Sequence, residues 1–336
     1  MDSIHLLRLI EDGEFHSGLR LAQALGTSRS DVRRQVRAVE ALGVRLFKVR
    51  GRGYRLARPL DLLDARRLEE LLAGRASRFA IEILDQCGST NAELLERARR
   101  GSAGAAGGAL ERNYEAAPLQ VLACERQVSG RGRRGAQWLS GIGTSLTFSM
   151  LARFREGAGA LAGLSLAVAV AAARALEASG VARVQLKWPN DLLFEGRKLG
   201  GILIELISDF QGPTSAVIGI GLNVALPREL RRGIGQPVAD LAEALAQAPP
   251  RAELLAAVLL QLDETLAEFS RRGFAAFRAD WTDRHAYQGR RVVLKLADQA
   301  VAEGEAIGVA EDGALLLRSS RGVERFHSGE LSLRPA

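Results

Sequence analysis

Three apolar segments near the middle of the chain, VARVQLK (181–187), GGILIELI (200–207) and AVIGIGLN (216–223), follow one another with no helical pattern between them. Each has the length and composition of a strand. Parallel neighbours in a sheet need a long crossover, usually a helix. Strands that succeed one another directly therefore argue against an alternating βαβ winding. IEILDQ (81–86), QVLACER (120–126) and TSLTFSMLARF (144–154) read as further strands, and residues 159–179 as a helix. The expected fold is α+β, with a central mixed β-sheet and helices on one side.

The chain has 336 residues, enough for two or three domains, and its 47% hydrophobic residues can bury a core. MDSIHLLRLIEDGE carries acids within its first apolar turn, unlike a secretory leader. The most apolar segment, 158–173, is Ala-rich and stops at Arg174, too soon for a membrane span. Cys87 and Cys124 lie in apolar contexts that imply no disulfide framework. His5, His16, His285 and His327 offer no metal-ligand spacing. A soluble, cytoplasmic protein is expected, with no membrane partner. The net charge of +7 suits an acidic partner such as nucleic acid or a nucleotide. The choice of cation is more telling. Lys48, Lys187, Lys198 and Lys295 are the only lysines, and every other basic position is arginine. An ammonium is a compact point charge that a guanidinium does not replace, so each lysine marks a position of interest.

Residues 1–60 read as a module of their own. IHLLRLIEDG forms a first helix with Ile4, Leu7 and Ile10 inward, and SGLRLAQALG (17–26) a second, ended by Gly26. In TSRSDVRRQVRAVEALG (27–43), Ser28 and Asp31 have capping-box spacing, and Val32, Val36 and Val39 recur at i, i+4 and i+7 on one face. VRLFKVRGRGYRLA (44–57) then reads as two short strands around an RGRG turn. The pattern is a helix-turn-helix with a wing. Arg29, Ser30, Arg33, Arg34 and Arg37 on the third helix, with Lys48, Arg50 and Arg52 in the wing, are the DNA-binding candidates. Helix arginines suit phosphates and guanine edges, and wing cations suit the backbone. The plain alternative is a three-helix bundle with a solvated charged face.

DLLDARRLEELLAG (61–74) reads as a linker helix. Ser89 or Thr90 opens another helix, with Thr90 and Glu93 at capping-box spacing. The Gly/Ala-rich stretch 101–119 reads as a long surface loop. Four stretches have the make-up of a site. Gln127-Val-Ser-Gly-Arg-Gly-Arg-Arg-Gly135 combines bare backbone with forked cationic donors. KWPND (187–191) sets a cation and a carboxylate at the two ends of a turn. RKLGG places Lys198 before a glycine pair. GIGLN (219–223) interrupts an apolar strand with small residues, as where a ligand approaches closely. Taken singly, each has a plain structural reading: a flexible basic loop, a β-turn with a structural Trp, a hairpin turn, a bend in a sheet.

Taken together and in this order, Ser89-Thr90-Asn91, Gln127, GRGRRG, KWPND, RKLGG and GIGLN resemble the biotin–protein ligases. The bifunctional bacterial form that also represses the biotin operon is the nearest pattern. The resemblance covers nearly the whole chain, including 289–334, which resembles that family's small SH3-like β-barrel and shows short strands with Gly and Asp-Gly turns. It implies a winged helix over 1–60, a catalytic domain over 61–285 related to class II aminoacyl-tRNA synthetases, and an SH3-like domain over 286–336.

The resemblance also implies a reaction. Biotin carboxylate attacks the α-phosphate of ATP, giving biotinoyl-5′-AMP and pyrophosphate. A lysine amine of the biotin carboxyl carrier subunit of acetyl-CoA carboxylase then takes the biotinoyl group and releases AMP. An anionic nucleophile must meet an anionic phosphate, so fixed cations are required. Arg131, Arg133 and Lys198 match that need, with Lys187 assisting at phosphate. Asp191 matches either a carboxylate near the Mg²⁺ that accompanies ATP or a group orienting the acceptor lysine. Ser89, Thr90, Asn91 and Gln127, with backbone near Gly130, Gly132, Gly201 and Gly219, match the biotin and adenylate contacts. Trp138 is a candidate adenine wall and Asn223 a nucleotide contact. The loop at 130–135 is expected to order over the adenylate, promoting a homodimer that binds operator DNA. Three rivals remain at this stage: a lipoate or octanoate ligase, a ligand-sensing transcription factor without catalysis, and an RNA-binding protein using GRGRRG as an arginine tract.

Overall fold

The N-terminal module holds α1 (Ser3–Arg8), α2 (Gly18–Ala24) and α3 (Arg29–Ala41), then β1 (Leu46–Val49) and β2 (Gly53–Leu56). The computed structural model describes residues 3–104, 118–208, 213–245, 247–296, 299–327 and 331–335. α3 begins at the capping box read from the sequence. Ser28 Oγ accepts from Asp31 N–H at 3.1 Å, and the Asp31 carboxylate accepts from Ser28 N–H at 3.3 Å. Val32, Val36 and Val39 pack inward against Ile4, Leu6, Leu7 and Ile10. β1 and β2 pair antiparallel from Leu46↔Leu56 to Val49↔Gly53. Gly53 has φ +107°, and a Cβ there would stand 1.9 Å from His16 O, so only glycine lets the wing close on the chain before α2.

The central part holds α4 (Ala65–Leu72), β3 (Phe79–Cys87), α5 (Thr90–Gly104), β4 (Leu119–Gln127), β5 (Ser145–Phe154), α6 (Leu164–Ala178), β6 (Gln185–Lys187), β7 (Asp191–Phe194), β8 (Arg197–Ser208) and β9 (Thr214–Asn223). It continues through α7 (Arg228–Gly233), α8 (Leu241–Ala244), α9 (Arg251–Arg272) and α10 (Arg278–Arg284). The seven strands lie in the order β3-β4-β5-β9-β8-β7-β6. Only β3 and β4 run parallel, and α5 follows β3 and precedes β4 as their crossover. The remaining neighbours are antiparallel; β4–β5 and β6 through β9 succeed one another directly, and β9 returns to pair with β5. The sheet is therefore mixed, as expected.

Side-chain alternation gives the sheet two covered faces. Val121, Ala123, Phe148, Met150, Ile218 and Ile220 point to the main core, which α6 and α9 fill. Leu122, Leu151 and Val217 point the other way and pack on Leu94, Leu95 and Ala98 of α5. The helical layer is thus one-sided only for α6 and α9. The longest helix, α9, was absent from the elements expected from the sequence, although Leu255, Val258, Leu259, Leu262 and Leu266 carry the helical period. α6, the helix most apolar in composition, lies in the core and is almost wholly buried. Residues 105–117 of the Gly/Ala-rich stretch fall outside the described residues.

β10 (Arg291–Leu296), β11 (Gln299–Val309), β12 (Leu315–Ser319), β13 (Gly322–Phe326) and β14 (Leu331–Pro335) form a second, wholly antiparallel sheet in the order β13-β12-β11-β10-β14. Its Asp312-Gly313 turn docks on the central part. Trp188 Nε1 donates to Gly313 O at 3.1 Å, and a Cβ on Gly313 would stand 2.8 Å from Gly163 Cα at the start of α6.

Two residues absent from the sequence expectations tie the N-terminal connection down. Arg251 and Glu125 are both fully buried, and Arg251 donates to the two Glu125 oxygens at 2.8 and 2.9 Å. Arg251 also donates to Asp61 O and to Ser145 O, while Glu125 accepts from Leu63 N–H at 2.5 Å. The start of the 61–74 segment is therefore held against β4 and β5. Arg8 adds a second tie, donating to Asp85 at 2.8 Å and to Leu63 O at 3.1 Å.

Candidate active site

The glycine-arginine stretch leaves the end of β4 and closes on itself. Trp138 N–H donates to Gly130 O at 2.9 Å, and Gly132 N–H donates to Ala136 O at 2.6 Å. A Cβ on Gly130 would lie 2.5 Å from Trp138 O, so the loop's own closure already requires glycine there. Arg134, at φ 56°, takes a left-handed conformation uncommon for a side-chain-bearing residue. The arginines are thereby carried over a cavity of about 450 Å³ between this loop, the centre of the sheet and the tip of β14.

All the catalytic and ligand-binding candidates named from the sequence line this cavity except Gly130, which borders the recess on the far side of the loop. One end of the cavity is cationic. KWPND turns between β6 and β7, with Trp188 buried as a structural anchor and Lys187 and Asp191 paired across the strands. Lys198 reaches the same carboxylate from β8. Its Nζ is 2.6 Å from one Asp191 oxygen, and Lys187 Nζ is 3.8 Å from the other. Arg133 donates to Asn190 Oδ1 at 3.4 Å. Burial pushes the Lys187 ammonium below the ordinary lysine range, and the Asp191 charge opposes that shift. Burial likewise lowers Arg133, with Arg134 adding to the effect. Desolvated cations of this kind interact strongly with an incoming phosphate.

The other end is polar and uncharged. α5 starts at the floor of the cavity. Thr90 N–H donates to Gln127 Oε1 at 2.8 Å, so a β4 side chain satisfies a first-turn donor of α5. The Thr90 hydroxyl lies 2.6 Å from Ser149 Oγ and 3.3 Å from Gln127 Oε1, engaged across the sheet instead of on Glu93. Ser149 Oγ donates to Asn91 Oδ1 at 2.5 Å. Asn91 Nδ2 donates to Leu203 O at 3.2 Å and to Glu205 at 2.9 Å. Glu205 also accepts from Arg131 at 2.9 Å.

Small residues of GIGLN serve neighbours in the protein as well as open space. A Cβ on Gly219 would lie 2.1 Å from Asn91 Oδ1, and one on Gly221 would lie 2.4 Å from Trp138 Cε2. The Trp138 indole thus lies flat against the glycine stripe of β8 and β9, with Lys198 Nζ 5.9 Å from its ring. Asn223 donates from Nδ2 to Lys198 O and Ala239 O, at 3.1 and 3.0 Å, and so braces the strand that carries Lys198. The sequence reading missed four participants: Ser149, Glu205, Arg134 and Arg334. Arg334 arrives from the C-terminal sheet by tertiary packing alone. Ser149 and Glu205 have a local signal, as polar residues inside apolar strands.

On the N-terminal module, Arg29, Ser30, Arg33, Arg34 and Arg37 all lie exposed along α3, and Lys48, Arg50 and Arg52 are exposed in the wing. Lys48 Nζ is 2.6 Å from Glu40, joining wing to helix, and the Arg52 guanidinium stacks 4.2 Å from the Phe15 ring centroid.

A mixed sheet whose strands carry two lysines on one carboxylate and a glycine stripe beneath an arginine loop defines the class of the cofactor-ligating protein ligases. Residues 110–223 match the Biotin/lipoate A/B protein ligase family, 3–55 an HTH domain, and 287–334 the Biotin protein ligase C terminal domain. The bifunctional ligase/repressor BirA of Escherichia coli is 33% identical over 333 residues, covering 99% of this chain and 97% of the relative. The biotin–[acetyl-CoA-carboxylase] ligase of Paracoccus denitrificans is 32% identical, covering 74% of this chain and 98% of the relative. The biotin protein ligase from Aquifex aeolicus, solved with biotin and ATP, superposes with a TM-score of 0.60 at 29% identity, over 76% of this chain and 99% of that one. The chain belongs to the family of bifunctional biotin ligase/repressors.

Proposed function

We propose that the protein activates biotin with ATP and transfers it to the amine of a lysine on a biotin carboxyl carrier protein, and that its winged helix represses transcription from operator DNA. One observation carries the enzymatic reading. A cavity of about 450 Å³ sets two half-buried lysines on a shared carboxylate at one end and an uncharged hydrogen-bonding floor at the other.

A neutral ureido ring fits the floor of Ser89, Thr90 and Gln127, with its acid tail directed toward Lys198. Lys198 is placed to lie between the biotin carboxylate and the α-phosphate, screening the approach of one anion to the other. The carboxylate oxygen bonds to phosphorus as the bond to pyrophosphate breaks. Arg131, Arg133, Arg134 and Arg334 surround the position where the departing charge would develop. Trp138 offers a face to the adenine. In the second step the acceptor amine adds to the acyl carbon, AMP leaves with the bonding pair, and the amine loses its proton. Asp191 is the one carboxylate lining the cavity among the described residues. Released from Lys187 and Lys198, it would hold the Mg²⁺ that accompanies ATP, and the ion would supply positive charge at the phosphates.

The reading divides the chain at 60/61 and 285/286, with a cytoplasmic protein whose adenylate-loaded form dimerises on operator DNA. Its first test is biotin-dependent exchange of labelled pyrophosphate into ATP by the wild type, Lys198→Ala and Arg133→Ala. Strong exchange in the wild type, lost in Lys198→Ala, is expected. A folded wild-type protein that exchanges with lipoate and not with biotin would overturn the reading.

A further inference from the structure

The polar groups behind the uncharged end of the cavity form one unbroken line. It runs from Gln127 through Thr90, Ser149 and Asn91 to Glu205, and ends on Arg131. Its members come from β4, α5, β5, β8 and the arginine loop. A hydroxyl is both donor and acceptor, so a chain of hydroxyls has no direction of its own. The direction has to come from a group that can act in one sense only.

Glu205 is that group. Its carboxylate accepts from the Arg131 guanidinium through one oxygen and from Asn91 Nδ2 through the other, each at 2.9 Å. It therefore turns the NH₂ of Asn91 toward itself and the carbonyl oxygen toward Ser149. Leu203 O accepts the second Asn91 hydrogen through a longer, uncharged bond at 3.2 Å, a weaker hold in the same sense than the charge-assisted bond to Glu205. Facing a carbonyl oxygen, Ser149 has to donate, and it does so at 2.5 Å. Its single hydrogen is then engaged, so the Thr90 hydroxyl, 2.6 Å away, has to donate to Ser149 or to Gln127 Oε1. In either case the hydrogen of Thr90 points into the protein, and its oxygen is left as an acceptor at the floor of the cavity.

We infer that Glu205 is a specificity-determining positioning residue: it sets the direction of the Thr90–Ser149–Asn91 line and thereby makes the pocket floor an acceptor for a ligand N–H. The inference rests on the biotin-ligase reading and deepens it. A ureido ring presents N–H donors to such a floor, whereas a dithiolane ring presents none. Asn91 acts within this line and not on the ligand, since both hydrogens of its amide are engaged by Leu203 and Glu205.

Glu205→Gln keeps the shape and removes the charge, leaving the sense to the weaker bond to Leu203 O alone. Its amide can donate to Asn91, allowing that side chain to turn over and Ser149 to donate to Thr90. The Thr90 oxygen then spends a lone pair on Ser149, and its hydrogen is held only by the long bond to Gln127 Oε1 at 3.3 Å and can turn toward the ligand N–H. Biotin affinity without ATP, measured by calorimetry, is expected to weaken about tenfold in Glu205→Gln, the worth of one hydrogen bond. The decisive measurement repeats the substitution in Ser149→Ala, where the line is already cut. There Glu205→Gln should change biotin affinity less than about twofold, well inside the effect of a single hydrogen bond. Thr90→Val cuts the line one step nearer the ligand and serves if Ser149→Ala does not fold. Undiminished biotin affinity in Glu205→Gln overturns the inference, and so does an equal loss with and without Ser149. A folded wild type that binds no biotin overturns the ligase reading itself, and the inference with it.

Discussion

The Lys198 ammonium lies 2.6 Å from Asp191 while Lys187 approaches the other oxygen of the same carboxylate at 3.8 Å. The two lysines come from different strands, β8 and β6, and neither is more than about a fifth exposed. Asp191 thus holds two like charges together at one end of the cavity. On the proposed mechanism, removing Lys198 takes away the cation between carboxylate and phosphate. Lys198→Ala is expected to lower pyrophosphate exchange by roughly a hundredfold or more, the scale of losing one preorganised electrostatic contact. Lys198→Arg is expected to recover little, because a planar fork does not fit where a point charge bridges two anions. Exchange rates of the two variants beside the wild type decide this.

Lys187 gives the first step a pH limb. Burial lowers its pKa below the ordinary 10.5, so it loses its proton at a lower pH than a surface lysine. Between the folded pKa and 10.5 the unfolded chain holds more protons, and stability therefore rises with pH in that window while the site loses charge. Adenylation should accordingly fall as pH rises through the depressed pKa. Asp191→Asn removes the negative charge that opposes the shift and should move the limb to still lower pH. A pH profile of pyrophosphate exchange for both proteins reads the displacement, and an unmoved limb would exclude Lys187 as its source.

Much of this site was legible in the chain because it is built from contiguous motifs. GRGRRG, KWPND and RKLGG each keep their chemistry within five or six residues, and direct succession of strands reported the antiparallel sheet. What escaped was chemistry assembled across the sheet. Ser149 stands out as a polar residue in an apolar strand, but what it bonds is set only when β5 lies beside α5. Glu205 looks like an exposed charge until the arginine loop folds over it. Arg334 and Arg251 act only through packing between segments far apart in sequence. The glycines were read as room for a ligand, and the structure puts Asn91 and Trp138 against two of them.

Arg251 and Glu125 should dominate the stability of the connection to the winged helix. Both are fully buried and bonded to each other and to the backbone at Asp61 and Leu63. Arg251→Ala leaves a buried carboxylate without its partner, a loss of about 3–5 kcal/mol. Arg251→Met with Glu125→Leu removes both charges and should be less damaging than either single change. Urea denaturation of the three variants gives the comparison.

His285 should make the protein acid-sensitive. Burial beside Trp281 pushes its pKa down to about 4 from an ordinary 6.5, and its buried Nε2 has no hydrogen-bond partner among the described residues. Between those values the unfolded chain binds the extra proton, so stability falls as pH drops through the window. The loss by pH 4 is about 3 kcal/mol. His285→Gln should flatten this part of the curve, as seen in melting temperatures between pH 7 and pH 4.5.

Gly221 separates the two ends of the cavity experimentally. A Cβ at this position would stand 2.4 and 2.5 Å from two carbons of the Trp138 indole, closer than real contacts allow, so the indole has to move. At Gly201 the added Cβ would stand 3.3 Å from the flexible end of Lys198 and 3.5 Å from Trp138, and small adjustments absorb it. If Trp138 is the wall for adenine, Gly221→Ala should raise the KM for ATP about tenfold, whereas Gly201→Ala should raise it only a fewfold. Biotin affinity measured without ATP should change little in either, because Thr90 and Gln127 lie at the opposite end, on α5 and β4. Equal losses of ATP and biotin affinity in Gly221→Ala would instead mean that the indole braces the whole cavity, and the adenine would have to be placed elsewhere.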